Sequence, residues 1–213
     1  MNDHVEQRSS EWFALRLGKV TASRLGDVLA RTKTGYSASR ENYMAELVIE
    51  RLTGSSVERF QSLAMRRGTE LEPQARAAYA FMTGATVAEV GFIPHPQIAN
   101  SGASPDAAVG GDGLLEIKCC EAAAHLEILL GAATPAKYYA QCQWQLACCQ
   151  SAWCDLTFFS PVYPPGMDLH IRRIERDSAF IENAETEVVK FLAELEAKVA
   201  ALRSRYGQID EAA

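Results

Sequence analysis

No stretch of the chain approaches the ~18 consecutive apolar residues of a membrane span. The opening residues, Met1-Asn2-Asp3-His4-Val5-Glu6, lack the apolar core of a secretory leader, so a cytoplasmic location is expected. A glycine-rich nucleotide-phosphate loop is missing. The histidines, His4, His95, His125 and His170, are scattered and supply no clustered ligand set, which disfavours a metabolic metal enzyme. Six cysteines fall between Cys119 and Cys154, yet none makes a Cys-x-x-Cys pair. Those spacings do not support zinc or iron–sulfur binding and fit buried, reduced thiols. No repeat, low-complexity tract or linker divides the 213 residues. One domain spanning 1–213 is expected, with a frayed tail from about Ser204.

Basic charge is also in short supply: 21 Lys and Arg face 27 Asp and Glu, a net charge of −6. That excludes a generally basic nucleic-acid coat protein, but not an enzyme with a local basic groove. The imbalance is uneven. Residues 1–76 hold 12 of the 21 basic residues against 10 acids, so a polyanion-binding surface is expected to draw on this third.

What is present reads as an ordinary folded α/β chain, 48% hydrophobic and 23% charged. Ser9 caps a helix that Gly18 stops, with Trp12, Phe13, Leu15 and Leu17 on its apolar side. Thr21 or Ser23 caps a second helix to about Ala30. Residues 31–39 read as a mobile basic loop, 40–52 as a helix and 55–67 as irregular. A long helix follows Gly68-Thr69 to Gly84, and Thr86–Ile93 is a strand closed by prolines. Beyond residue 118 come a helical or irregular stretch and a helix opened by Pro135. Strands at Trp153–Phe159 and Leu169–Ile174 follow, then a last helix from Asp177 to about Arg203. Helices leading into strands with an interposed helix imply a mixed central sheet flanked by helices.

The most informative stretch runs from Ser104 to Lys118. Leu114 to Lys118 reads as a short strand, on which Glu116 and Lys118 share one face and Leu115 and Ile117 the other. Asp106 precedes Glu116 by ten residues, and the turn Gly110-Gly111-Asp112-Gly113 is suited to fold it back beside Glu116. Two carboxylates and an ammonium then converge. The carboxylates are hard oxygen ligands for Mg²⁺ or Mn²⁺. The lysine orients or deprotonates a water, or offsets charge on a phosphate. This set suits metal-assisted phosphodiester hydrolysis; a hairpin with ordinary surface charges is the plain alternative.

Pro105-Asp106, a gap, then Glu116-Ile117-Lys118 matches the PD-(D/E)xK nuclease signature. Further landmarks surround it in order: Trp12-x-x-x-Arg16-x-Gly18-x-x-Thr21-Ala22-Ser23, Gly68-Thr69-Glu70-Leu71-Glu72-Pro73-x-Ala75-Arg76, and Tyr138-x-x-Gln141-x-Gln143. Together they resemble the phage lambda exonuclease family, also called the YqaJ-like viral recombinase nucleases, from about Glu11 to Leu202. The resemblance implies a PD-(D/E)xK restriction-endonuclease-like core. It implies a Mg²⁺-dependent enzyme, with Mn²⁺ as a substitute, that degrades the 5′ strand of linear duplex DNA and leaves a 3′ overhang. It further implies a homotrimeric ring threaded by DNA, a single-strand annealing protein as partner, and a phage or prophage origin in a bacterial cell.

Carried over by position, the resemblance makes Asp106, Glu116 and the Ile117 carbonyl metal ligands and Lys118 the catalytic lysine. Glu72 matches the helix glutamate near the metals. Tyr138 and Gln141 match a helical pair lining the site, and Arg16, Ser23 and Ser104 a pocket for the 5′-phosphate. Read alone, Arg16 is a surface helix arginine and Ser23 a helix cap; Gln141 and Gln145 could face solvent as an i, i+4 pair, yet Gln141 follows two tyrosines in an otherwise apolar helix, where a polar group more often has a buried partner. One departure stands out. Leu63-Ala64-Met65 occupies the place where the family's lambda member has a lysine and a strand-splitting wedge, so Met65 is the candidate wedge and the lysine is missing. A structure- or sequence-specific endonuclease using the same core, or a DNA-binding module without chemistry, are the competing functions.

Overall fold

The computed structural model describes residues 5–57 and 63–207. Its centre is a five-stranded sheet in the order β10-β9-β8-β7-β4. The strands are β4 (Val87–Ala88), β7 (Ala107–Val109), β8 (Gly113–Cys119), β9 (Trp153–Phe159) and β10 (Leu169–Glu175). All neighbours are antiparallel except β8 and β9. That parallel pair needs a crossover, which α5 (Ala122–Leu129) and α6 (Ala136–Cys149) provide. The sheet is therefore mixed, as the element order implied.

Strand β8 shows why the sheet is buried on both faces. Leu115 and Ile117 pack with Ala75 and Tyr79 of the helix α4 (Leu63–Thr83). Leu114 packs the other way, with Cys142 and Leu146 of α6 and Ile128 of α5. Glu116 alternates with Leu115, so it faces the α6 side, where its burial must be offset by a cation and hydrogen bonds. A third cluster joins α6 to the helical half: α2 (Leu25–Leu29), α3 (Ala38–Thr53) and the last helix, α7 (Ser178–Tyr206). A small sheet, β1 (Val20–Thr21), β6 (Ser101–Ala103) and β5 (Ile93–Pro94), links the N-terminal segment to the chain entering Ser104.

Several expectations need correcting. The first helix, α1 (Ser10–Arg16), is capped by the Ser9 side chain as read, but buries no residue; Phe13 and Leu15 face outward. Ser23 is not a helix cap, because it lies inside a 3-10 turn, Ala22–Arg24, that leads into α2. Residues 31–39 are not a loop throughout: Arg31–Thr32 (β2) and Gly35–Tyr36 (β3) pair as a hairpin. Helix α4 begins at Leu63, so Gly68 lies within it. The stretch expected as one strand, 86–93, is split, because β4 joins the large sheet and β5 the small one. The last helix runs to Tyr206, past the Ser204 where fraying was expected.

Candidate active site

The hairpin forms as its spacing required. Ala107 pairs with Leu115, Ala108 with Leu114 and Val109 with Gly113. Gly110 turns the chain with φ at +60°, in the left-handed region that glycine adopts at little cost. One step beyond the ladder, Asp106 stands opposite Glu116. The Asp106 amide donates to the Leu115 carbonyl at 3.1 Å. Its carboxylate accepts from the Ile117 amide at 2.6 Å. In an extended strand a residue's N–H and C=O point the same way, so the Ile117 carbonyl leaves β8 on the Asp106 side.

Glu116 is gripped by three side chains. Lys118 Nζ and Gln141 Nε2 each donate to Oε1 at 2.7 Å, and Gln145 Nε2 donates to Oε2 at 2.5 Å. Lys118 also donates to Gln141 Oε1 at 3.0 Å, and its ammonium lies 4.7 Å from the Tyr138 ring centroid. Helix α6 thus delivers Tyr138, Gln141 and Gln145 to one spot at helical spacing. The solvent-facing reading of the glutamine pair is wrong: Gln141 is buried and Gln145 fully so. Burial opposes the charged Lys118 ammonium, but Glu116, Asp106 and Tyr138 together outweigh it, and the lysine's pKa ends above its ordinary value. Lys118 is placed by Glu116 and Gln141 where it can orient a water or offset charge on a phosphate.

Glu72 enters from α4. Arg76 holds its Oε1 at 2.8 Å, and Arg8 binds Oε2. Burial pushes the Asp106 carboxyl well above the usual carboxylate range. Glu116 and then Glu72 add to the rise, which the Ile117 amide and Lys118 only partly offset. Burial, with Glu72 and Asp106 nearby, lifts the Cys119 thiol to about 12, so it is a neutral wall of the site. Carboxylates crowded in a buried place favour a divalent cation between them. Among the described residues no three His, Cys, Asp or Glu side chains close into a metal-binding group. A divalent ion here would rest on Asp106, Glu116, the Ile117 carbonyl and water, a donor set of hard oxygens that suits Mg²⁺ or Mn²⁺.

The phosphate-pocket residues also meet, though less tightly. Arg16 Nη1 donates to Ser104 Oγ at 2.9 Å, and Trp12 Nε1 donates to the same oxygen at 3.1 Å. The Arg16 guanidinium stacks 4.1 Å over the Trp12 ring. Arg16, Lys19, Thr21 and Ser23 line one cleft of about 410 Å³. Ser23 reaches Thr21 at 3.4 Å. The Met65 side chain lies outside the described residues, although its backbone belongs to α4.

The YqaJ-like viral recombinase domain matches residues 11–152. The chain belongs to the YqaJ-like viral recombinase family. The alkaline exonuclease of Laribacter hongkongensis is 50% identical, over 92% of this chain and 97% of that one, with a TM-score of 0.86. The same protein in complex with dAMP matches equally well. A phage-related exonuclease from Haemophilus somnus, 15% identical over 88% of this chain and 98% of that one, shares the fold with a TM-score of 0.74. No curated protein sequence matches. The fold is that of the phage exonucleases, as the sequence motifs implied.

Sequence reasoning missed Arg8 and Arg76 as partners of Glu72 and left Gln145 open. A polar pair at i, i+4 on an otherwise apolar helix was a signal for Gln145. Nothing local marked Arg8, whose partner lies 64 residues away.

Proposed function

We propose that this protein is a Mg²⁺-dependent 5′→3′ exonuclease that shortens one strand of linear duplex DNA and leaves a 3′ single-stranded end for strand annealing. The coarser part, a nuclease of recombination, rests on membership of the recombinase family and on the 50% identical alkaline exonuclease. The observation that carries the chemistry is the convergence of Asp106, which stands opposite Glu116 on the hairpin and accepts from the Ile117 amide, with the bonded pair Glu116 and Lys118. A divalent ion at Asp106, Glu116 and the Ile117 carbonyl would supply Lewis acidity to the phosphate and to water. Lys118 stays charged and offsets negative charge that builds on the phosphate. Gln141 and Gln145 fix the carboxylate of Glu116, and Tyr138 closes the site beside the lysine. The relative's complex with dAMP, a nucleoside monophosphate, fits cleavage one nucleotide at a time.

Polarity rests on the Arg16 cleft. A guanidinium matches phosphate oxygens as a planar fork. Ser104, bonded to Arg16, lies two residues before Asp106, which ties the cleft to the site at short range. A terminal phosphate carries more charge than a diester, so the cleft prefers a 5′-phosphorylated end and sets the next diester over the carboxylates. The reading extends to a homotrimeric ring around DNA, an annealing partner and a cytoplasmic workplace. One experiment tests it: Mg²⁺ with circular duplex and with linear duplex carrying either 5′-phosphoryl or 5′-hydroxyl ends. Loss of the 5′ strand from linear, phosphorylated duplex is expected. Cutting of circles would favour the endonuclease reading, and equal rates on both end types would reject the phosphate cleft.

A further inference from the structure

Arg8 has a φ of +72°, a left-handed conformation that ordinary side chains rarely adopt. Strain of this kind persists where the surroundings over-determine it, and it gathers at functional sites. The surroundings here are explicit. Gln7 Nε2 donates to the carbonyls of Val90 at 2.8 Å and Pro105 at 2.7 Å. Val5 crosses Gly91 so closely that a Cβ on Gly91 would stand 2.6 Å from the Val5 carbonyl oxygen. Residues 5–8 therefore form a strap, tied to the residue immediately before Asp106.

The strap delivers a guanidinium. Arg8 Nη2 binds Glu72 Oε2, and the preceding residue, Gln7, is tied to the Pro105 carbonyl beside Asp106. Yet the Arg8 side chain remains 44% exposed, whereas Glu72 is only 10% exposed. Arg76 grips the other Glu72 oxygen at 2.8 Å, so Glu72 keeps a cation when Arg8 turns outward. The consecutive residues Ser104, Pro105 and Asp106 are engaged in turn by Arg16, Gln7 and the Ile117 amide. The strap is anchored between the end-binding cleft and the carboxylates. DNA approaching those carboxylates on a chain of net charge −6 needs a cation at that point.

We propose that Arg8 is a DNA-binding residue, which takes a backbone phosphate of the strand entering the carboxylate site and is held there by the strap. This rests on the nuclease reading above. A guanidinium has more donors than Glu72 uses, and its planar fork suits phosphate. The alternative is that Arg8 acts only through Glu72.

Salt dependence separates the two. Fluorescence anisotropy of a labelled, 5′-phosphorylated duplex, in EDTA to prevent cleavage, gives the slope of log K against log salt concentration. One lost phosphate contact lowers that slope by about 0.9. Arg8→Gln is expected to bind about tenfold more weakly, as loss of a charged hydrogen bond does, with the slope reduced by that amount. Arg8→Lys is expected to fall between the two. An unchanged slope would overturn the proposal, whatever the affinity does. Circular dichroism checks that the variants are folded. Should Arg8→Gln fail to fold, Gln7→Ala, which unties the strap and keeps the charge, is expected to weaken binding, and unaltered binding there would overturn the placement. Absence of salt-dependent binding by the unmodified protein is a separate result that would sink the nuclease reading itself.

Discussion

Glu116 presents two oxygens to three donors, and each donor is removable by itself. Gln145 touches only Oε2, on the side away from Lys118. Losing it leaves the charge of Glu116 in place but frees the carboxylate to turn. Gln145→Ala is therefore expected to slow single-turnover digestion by about 10–100-fold, the usual effect of removing a group that orients a metal ligand. Asp106→Asn and Glu116→Gln remove the charge of the two proposed metal ligands and are expected to cost several orders of magnitude, while binding of duplex largely persists. Lys118→Ala belongs with them. Full activity of Asp106→Asn with Mg²⁺ would disprove the site. At this scale the sequence was a good guide to Asp106, Glu116 and Lys118, because they lie on one hairpin. It was silent on Arg8 and ambiguous on Gln145, whose partners are distant in the chain.

The long helix α4 is joined to the sheet by a polar bridge within the apolar contact of Tyr79 with Leu115. Tyr79 donates to Asp155 Oδ2 at 2.7 Å, and Arg173 binds both Asp155 oxygens, at 2.9 and 3.0 Å. Burial, then Asp155, raises the Tyr79 pKa above its ordinary value. A phenol whose folded pKa is raised contributes stability that is present below the unfolded pKa, about 10. That stability is lost as pH climbs toward the raised folded value. Tyr79→Phe is expected to lower stability by about 1 kcal/mol at pH 8, since Arg173 still satisfies Asp155. Urea midpoints taken above pH 10 should show the gap closing. On the next strand pair, Gly113 faces the Trp153 ring so closely that a Cβ would stand 2.2 Å from it. Gly113→Ala is expected to destabilise by about 1–3 kcal/mol, as overpacking does, measured by the same melts. Element boundaries were read well where a cap or stop is local, as at Ser9, Gly84 and Pro135. They were read poorly at Thr86–Ile93, where two sheets share one stretch.

At the scale of the whole molecule, the basic residues of the first third are divided: Arg16 and Lys19 line the cleft and Arg8 binds Glu72, while Arg31, Arg40 and Arg51 pair with carboxylates of α7. Among the described residues no helix is long and apolar enough to cross a membrane. With a net charge of −6, the molecule has little diffuse attraction for DNA, so a processive enzyme gains from topological enclosure. The proposed ring closes by head-to-tail contacts. Light scattering is expected to give a mass near three times 23.3 kDa, and a strict monomer at assay concentrations would reject it.

The sequence by itself determined the hairpin and which of its side chains share a face. Strand periodicity and a glycine turn act over a few residues, so Asp106 had to meet Glu116 once β7 and β8 paired. It also determined the family, through motifs whose order survives without knowledge of their contacts. The tertiary structure alone decided what surrounds that hairpin. Gln145 reaches Glu116 across 29 residues, Ser104 meets Arg16 across 88, and Gln7 crosses 98 to the Pro105 carbonyl. No local rule sets such distances. Gln145 is carried to Glu116 by the burial of α6 against the sheet, and Gln7 and Arg16 are brought to Pro105 and Ser104 by the N-terminal segment, which β1 joins to β6.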